Sequence, residues 1–148
     1  MALDDDIAIL RRVALFQPLD SEQLRLLAFG AEQRTFAPGR ALCQAGDRAE
    51  GALVLRSGMV TLTDEVDRDV GQADAPGTLI GETALFHRGT WQVTAIAESE
   101  CMVMRVPRPL FRRILEEYPD TAEMLYAAMV KRLSTDIAAF ERAARKLG

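Results

Sequence analysis

Short strand-like runs separated by turn signals fill residues 34–106, and this pattern constrains the fold more than any other feature of the chain. The runs lie between turns such as Ala37-Pro38-Gly39, Ala45-Gly46-Asp47 and Ala75-Pro76-Gly77. Many short strands without a long helix between them are typical of an antiparallel sandwich or barrel. The sequence therefore predicts a mainly β fold over residues 31–107.

Individual strands can be assigned within this region. Leu53–Leu55 and Met59–Leu62 flank Arg56-Ser57-Gly58, a pattern that predicts a tight hairpin. Residues 64–69 are strongly charged and predict a solvated turn. Two further strands are predicted at Val93–Ala97 and Met102–Val106.

The first 30 residues have helical rather than strand periodicity. Apolar residues recur at helical spacing at Ile7, Leu10, Ala14 and Leu15, and Pro18 interrupts the pattern. Asp20 or Ser21 can then cap a second short helix, which we expect to stop at Gly30. Residues 1–30 therefore form a predicted N-terminal helical segment.

Residues 108–148 are also predicted to be helical. Leu110–Tyr118 forms a short helix that ends before Pro119, and Asp120 or Thr121 can cap a last helix running to about Lys146. That helix carries an apolar stripe, which fits either a face packed on the β region or a two-helix seam. The stripe comprises Tyr126, Val130, Leu133, Ile137, Phe140, Ala144 and Leu147.

Composition narrows the possible functions of the chain. Its 148 residues, 49% of them hydrophobic, suit one domain spanning residues 1–148. The net charge of −4 argues against a chain devoted to nucleic acid. With one histidine and two well-separated cysteines, we expect no metal site, no nucleophilic triad and no enzymatic activity. No signal peptide or membrane-spanning run is visible, so a cytoplasmic location is expected.

An ordered set of glycines and apolar residues points to a known family. The set runs from Phe36-x-x-Gly39 through Gly46-Asp47 and Leu53-Val54-Leu55-x-x-Gly58 to Pro76-Gly77-x-x-x-Gly81-Glu82-x-Ala84-Leu85-Phe86. It resembles the cyclic-nucleotide-binding domains of catabolite-activator-type regulators, protein kinase A regulatory subunits and cyclic-nucleotide-gated channels. The resemblance implies an antiparallel β-roll, also called a double-stranded β-helix or jelly roll. It further implies an N-terminal helix and C-terminal hinge and lid helices.

The Gly81-Glu82 segment has a chemistry of its own. A glycine that leads into a helical turn lets backbone amides converge on an anion, here those of Thr83, Ala84 and Leu85. An ionised Glu82 repels phosphate but accepts hydrogen bonds from hydroxyl groups. The resemblance implies that Glu82 contacts a ribose hydroxyl.

One position departs from the family pattern. Nucleotide-binding members usually carry Arg-x-Ala-Thr/Ser-hydrophobic-x-Ala after this turn, and here the matching run is Trp91-Gln92-Val93-Thr94-Ala95-Ile96-Ala97. Thr94 and Ala97 fit the pattern, but Trp91 stands in place of the arginine that pairs with the cyclic phosphate. An indole offers one neutral N–H where a guanidinium offers a charged, bidentate fork.

Three interpretations of Trp91 stay open. The indole fills the pocket of a degenerate domain, or stacks on a base or other flat ligand, or leaves the phosphate to Arg88, three residues earlier.

The C-terminal helix resembles that of the activators through Tyr118-Pro119-Asp120 and Met129-x-Lys131-Arg132-Leu133. This match implies that Thr135 and Asp136 face the purine and that the helix can form a homodimer. The chain contains no helix-turn-helix, kinase, channel or cyclase segment. We therefore expect a stand-alone regulatory domain that acts on a separate effector protein, or a fragment of something longer.

Two functional hypotheses follow. The first is a sensor module that binds cyclic AMP, cyclic GMP or a related small anionic ligand and requires no other cofactor. The alternative is a degenerate domain that no longer binds nucleotide and acts in protein interaction or dimerisation.

Overall fold

The computed structural model describes residues 2–132, which form an antiparallel β-roll with helices at both ends. The helices are α1 (Ala2–Leu10), α2 (Ser21–Gly30), α3 (Arg108–Glu117) and α4, of which residues 119–132 are described. Within residues 2–132, no helix is long and apolar enough to cross a membrane.

The N-terminal helical segment is confirmed, although its first helix is shorter than predicted. It ends at Leu10, and Ala14–Phe16 forms a separate 3-10 turn, so the chain turns well before Pro18. The predicted cap of α2 is confirmed at Asp20, whose side chain accepts from the Gln23 N–H at 2.8 Å. The Gln23 side chain accepts from the Asp20 N–H in return, which completes a capping box.

Within residues 2–132, ten short strands form two four-stranded sheets and one two-stranded ribbon, and the pairings among them are antiparallel. The first sheet has the order β1-β10-β4-β7 and the second β2-β9-β5-β6, while β3 pairs with β8. The strands are β1 (Glu32–Phe36), β2 (Ala41–Cys43), β3 (Arg48–Ala49), β4 (Gly51–Ser57), β5 (Val60–Thr63), β6 (Asp69–Ala73), β7 (Leu79–Ile80), β8 (Gly89–Thr90), β9 (Thr94–Ala97) and β10 (Cys101–Pro107).

The predicted hairpin between Leu53–Leu55 and Met59–Leu62 is wrong, because β4 and β5 belong to different sheets. The chain crosses between the sheets at Gly58, which has a φ of 97° and lies so close to β10 that a Cβ would overlap the carbonyl oxygen of Glu100. Met59 follows in the crossing, and its N–H donates a hydrogen bond to the Ser99 hydroxyl at 3.0 Å. A hairpin within one sheet and a crossing between two sheets can both be built from a Gly-containing turn between two apolar runs, so the local sequence does not distinguish them.

The first sheet separates two apolar cores. Successive side chains of a strand point to opposite faces, so Val54 packs against the helices while Leu53 and Leu55 face the interior of the roll. The charged segment between β5 and β6 forms the solvated turn that the sequence predicts, with Asp67 at a φ of 61°.

Helix α4 packs on the domain through a face that the predicted stripe does not describe. The helix begins at residue 119 rather than after a cap at Asp120 or Thr121, because the Ala122 N–H donates to the Tyr118 carbonyl at 2.9 Å. Its buried face includes Leu125, whereas Tyr126 and Val130 of the stripe are 43% and 56% exposed. The other stripe residues, Leu133, Ile137, Phe140, Ala144 and Leu147, lie outside the described residues.

Candidate functional site

The turn after β7 is built around a left-handed glycine. Gly81 has φ 85° and ψ 37°, and it leads into a 3-10 turn at Glu82–Leu85. The Ala84 N–H donates to the Gly81 carbonyl at 2.9 Å, so this amide is used within the turn and is not free for a ligand. Leu85 is buried in the helix-side core, while Thr83 is exposed.

A cavity of about 170 Å³ opens beside this turn. Five predicted site residues line it, namely Gly81, Glu82, Thr83, Ala84 and Trp91. Among the described residues, those that line the cavity include no lysine or arginine, and Glu82 is the charged one. The cavity is smaller than the roughly 300–1,000 Å³ typical of small-molecule sites.

Trp91 accounts for the small size of the cavity. A Cβ at Gly81 would overlap the six-membered ring of the indole, with Cε3 and Cη2 at 3.1 Å. The indole thus lies directly on the glycine that opens the turn. Trp91 can approach Gly81 this closely because glycine has no side chain.

Glu82 is paired with the C-terminal helix. The Nε atom of Arg132 lies 2.7 Å from Oε1 of Glu82 and donates to Oε2 at 3.1 Å. The Glu82 side chain is only 17% exposed, so Arg132 pairs with a carboxylate that is largely shielded from solvent. Arg132 is not among the predicted site residues, although it lies in the Met129-x-Lys131-Arg132 run that carries the resemblance.

A second contact joins the same turn to the helices. Phe86 ends the turn and packs edge-on against Phe111 of α3, with 5.3 Å between the ring centroids. It also packs against Tyr126 of α4 at 5.0 Å. A shift of the Gly81–Phe86 segment therefore reaches both C-terminal helices through close-packed rings.

Arg108, at the start of α3, also holds the turn. Its Nη1 atom donates to the backbone carbonyls of Ala49, Ala84 and His87 at 2.9, 3.1 and 3.3 Å. No local sequence signal marks Arg108 for this role, because its acceptors are backbone atoms of distant segments.

Two further predicted site residues, Arg88 and Thr94, are not part of the lining of this cavity. Arg88 is exposed and lines an adjoining space of about 230 Å³ together with His87. The Thr94 hydroxyl accepts from the Ala45 N–H at 2.9 Å, which ties β9 to the loop after β2. Thr135 and Asp136 lie outside the described residues.

Trp91 also lines a second, polar cavity of about 400 Å³ near the mouth of the roll. Arg105 there donates to Glu32 at 2.9 Å, and Arg34 lies 3.2 Å from the same carboxylate. These hydrogen bonds, the one from Arg105 first, lower the pKa of Glu32. Charges in this cavity are thus partly neutralised by one another.

The fold agrees with comparisons against known proteins. Residues 33–118 match the family described as "Cyclic nucleotide-binding domain", which is more than half of the chain. The chain therefore belongs to the cyclic nucleotide-binding domain family.

Two solved structures are similar over most of this chain. A cyclic nucleotide-binding-like protein from Brucella abortus is 42% identical with a TM-score of 0.67, and the match covers 76% of this chain and 99% of that one. The N-terminal domain of a transcriptional regulator from Streptomyces coelicolor is 30% identical with a TM-score of 0.76, with coverages of 89% and 94%.

One relative with a segment similar to this chain is a longer protein. The cAMP-dependent protein kinase regulatory subunit of Eremothecium gossypii is 30% identical over 79% of this chain. The match spans 25% of that protein's own length. The chain thus corresponds to about a quarter of this relative.

Proposed function

We propose that this chain is a regulatory sensor module in which a small ligand, cyclic AMP, cyclic GMP or a related anion, enters the cavity beside Gly81. The observation that carries the proposal is Glu82. Its carboxylate lies beside the cavity on a side chain that is only 17% exposed, and its partner Arg132 belongs to the C-terminal helix. A carboxylate accepts hydrogen bonds from hydroxyl groups, and a ribose hydroxyl is a donor that can bind it in place of Arg132.

The Glu82–Arg132 pair gives ligand binding a route to the C-terminal helix. A hydroxyl that binds Glu82 competes with Arg132 for the same carboxylate, so the ligand favours positions of α4 in which the pair is broken. A ligand shifts a conformational equilibrium only by its difference in affinity for the two states. Breaking one partly exposed ion pair accounts for roughly 1 kcal/mol of this difference.

The replacement of the family's arginine by Trp91 determines the affinity that we expect for cyclic nucleotides. Loss of the arginine–phosphate contact costs about 2–5 kcal/mol, which is about 30- to 3,000-fold in affinity. Arg88 lies on the adjoining space and can supply part of the missing charge only if its side chain turns toward the cavity. We therefore expect cyclic nucleotides to bind more weakly than they bind family members that keep the arginine.

A second candidate function rests on Trp91 itself. Since the indole lies on Gly81 and narrows the cavity to about 170 Å³, it can act as a permanent occupant of the site. The domain would then be a degenerate, non-enzymatic interaction module. Self-association would use the exposed part of the α4 stripe, Tyr126 and Val130, as its surface.

The chain's single tryptophan is a built-in probe of this choice. Titration with cyclic AMP and cyclic GMP, followed by Trp91 fluorescence, should give a saturable change if the sensor proposal holds. Adenosine serves as the control without phosphate. No change up to millimolar nucleotide favours the degenerate module.

A further inference from the structure

An open groove of about 730 Å³ lies along the β3–β8 ribbon, beside the cavity at Gly81. Arginines from separate parts of the chain converge on it. The charged residues that line it are Arg48, Glu50, Arg88, Arg105 and Arg108. This concentration of positive charge occurs in a chain whose net charge is −4.

Two of these arginines are already used within the protein. Arg105 donates to Glu32 at 2.9 Å and to Glu50 at 3.5 Å. Arg108 donates to three backbone carbonyls. Their charges contribute to the potential in the groove, but their donors are largely occupied.

Arg48 and Arg88 are different, because neither side chain has a hydrogen bond or ion pair with any described residue. Arg48 lies opposite Thr90 in the register of the ribbon, and Arg88 precedes Thr90 by two residues. Both line the same groove. An anion in the groove can pair with both guanidinium groups.

We infer that this groove is a second ligand site, which binds a small polyanion carrying phosphate groups through Arg48 and Arg88. Guanidinium groups match phosphate oxygens in both charge and geometry. The volume of the groove lies within the roughly 300–1,000 Å³ of small-molecule sites. The groove is distinct from the Gly81–Glu82 cavity, and Arg48 does not line that cavity, whereas Arg88 is also the residue proposed to supply charge to a ligand there.

Calorimetric titration with inorganic pyrophosphate tests the inference. The unmodified chain is expected to bind it, and the Arg48→Gln/Arg88→Gln double variant to bind it roughly tenfold or more weakly. Arg25→Gln is the control for the loss of a surface arginine elsewhere, since Arg25 is an exposed arginine of α2 whose side chain has no described partner; it removes one positive charge where the double variant removes two. The control should bind pyrophosphate as the unmodified chain does.

Three outcomes would overturn the inference: no binding by the unmodified chain, equal binding by the double variant, or an equal loss in Arg25→Gln. Preference for a polyglutamate peptide over pyrophosphate would also overturn it, and would indicate an acidic protein partner. Glu82→Gln separates this site from the other one. It should weaken cyclic nucleotide binding and leave pyrophosphate binding unchanged.

Discussion

Arg132 in the last described turn of α4 holds the Glu82 carboxylate, with 2.7 Å between Nε and Oε1. The two residues are 50 positions apart in the chain. One lies in the turn beside the proposed ligand cavity, and the other lies on the helix that would carry the proposed response. This ion pair therefore links the β-roll directly to the C-terminal helix.

Substitution of either partner should change ligand affinity in opposite directions. Arg132→Gln frees Glu82 for a ligand hydroxyl, so cyclic AMP should bind about fivefold more tightly if the pair contributes roughly 1 kcal/mol. Glu82→Gln should weaken binding, because the carboxylate acceptor is lost. Both affinities can be measured by Trp91 fluorescence. Weaker binding by Arg132→Gln would mean that Arg132 contacts the ligand rather than competing with it.

Phe86 should be a major contributor to stability as well as to coupling. It is 8% exposed and packs on both Phe111 and Tyr126. Phe86→Ala should lower the free energy of unfolding by about 3–5 kcal/mol, measured by urea denaturation. Phe29→Ala is the matched control, since Phe29 is 84% exposed and should change stability by less than about 0.5 kcal/mol. Similar losses in the two variants would contradict the packing described for Phe86.

The two cysteine thiols should be unreactive in the folded chain. Cys43 and Cys101 are both free and buried, and burial raises the pKa of Cys43 to about 11. At pH 8 only about a thousandth of Cys43 is then thiolate, the form that reacts. A colorimetric thiol reagent should label native protein slowly and react fully with both thiols in denaturant. Rapid native labelling would show that these segments open.

The exposed stripe of α4 should mediate any self-association. Val130 is 56% exposed, so Val130→Glu should leave folding intact and weaken a dimer tenfold or more by placing a charge in an apolar seam. Sedimentation equilibrium measures this effect. Val66→Glu, at a 65% exposed position in the turn between β5 and β6, is the matched control. A chain that is monomeric at high concentration would rule out the seam.

Features set by local chemistry were predictable from the sequence. Asp20 caps α2 through its own side chain, and the charged turn before β6 follows from solvation. The crossing at Gly58 was not predictable, because the decision between hairpin and crossing depends on the approach of Glu100, far along the chain.

The site was predictable in part for the same reason. The Gly81 turn follows from the need for a left-handed residue, which a glycine supplies without steric cost. The contact of Trp91 with Gly81 and the Glu82–Arg132 pair depend on tertiary packing, which no local pattern encodes. Thr94 fits the family motif, yet its hydroxyl binds a backbone amide of this chain.

The most direct test of the account is calorimetric titration of the unmodified chain and of Trp91→Arg with cyclic AMP and cyclic GMP. Our account predicts weak binding by the unmodified chain and binding about 30- to 3,000-fold tighter by Trp91→Arg, because the variant regains the phosphate contact beside an intact Glu82. Equal affinities, or no binding by Trp91→Arg, would contradict the claim that Trp91 occupies the position of the phosphate-binding group.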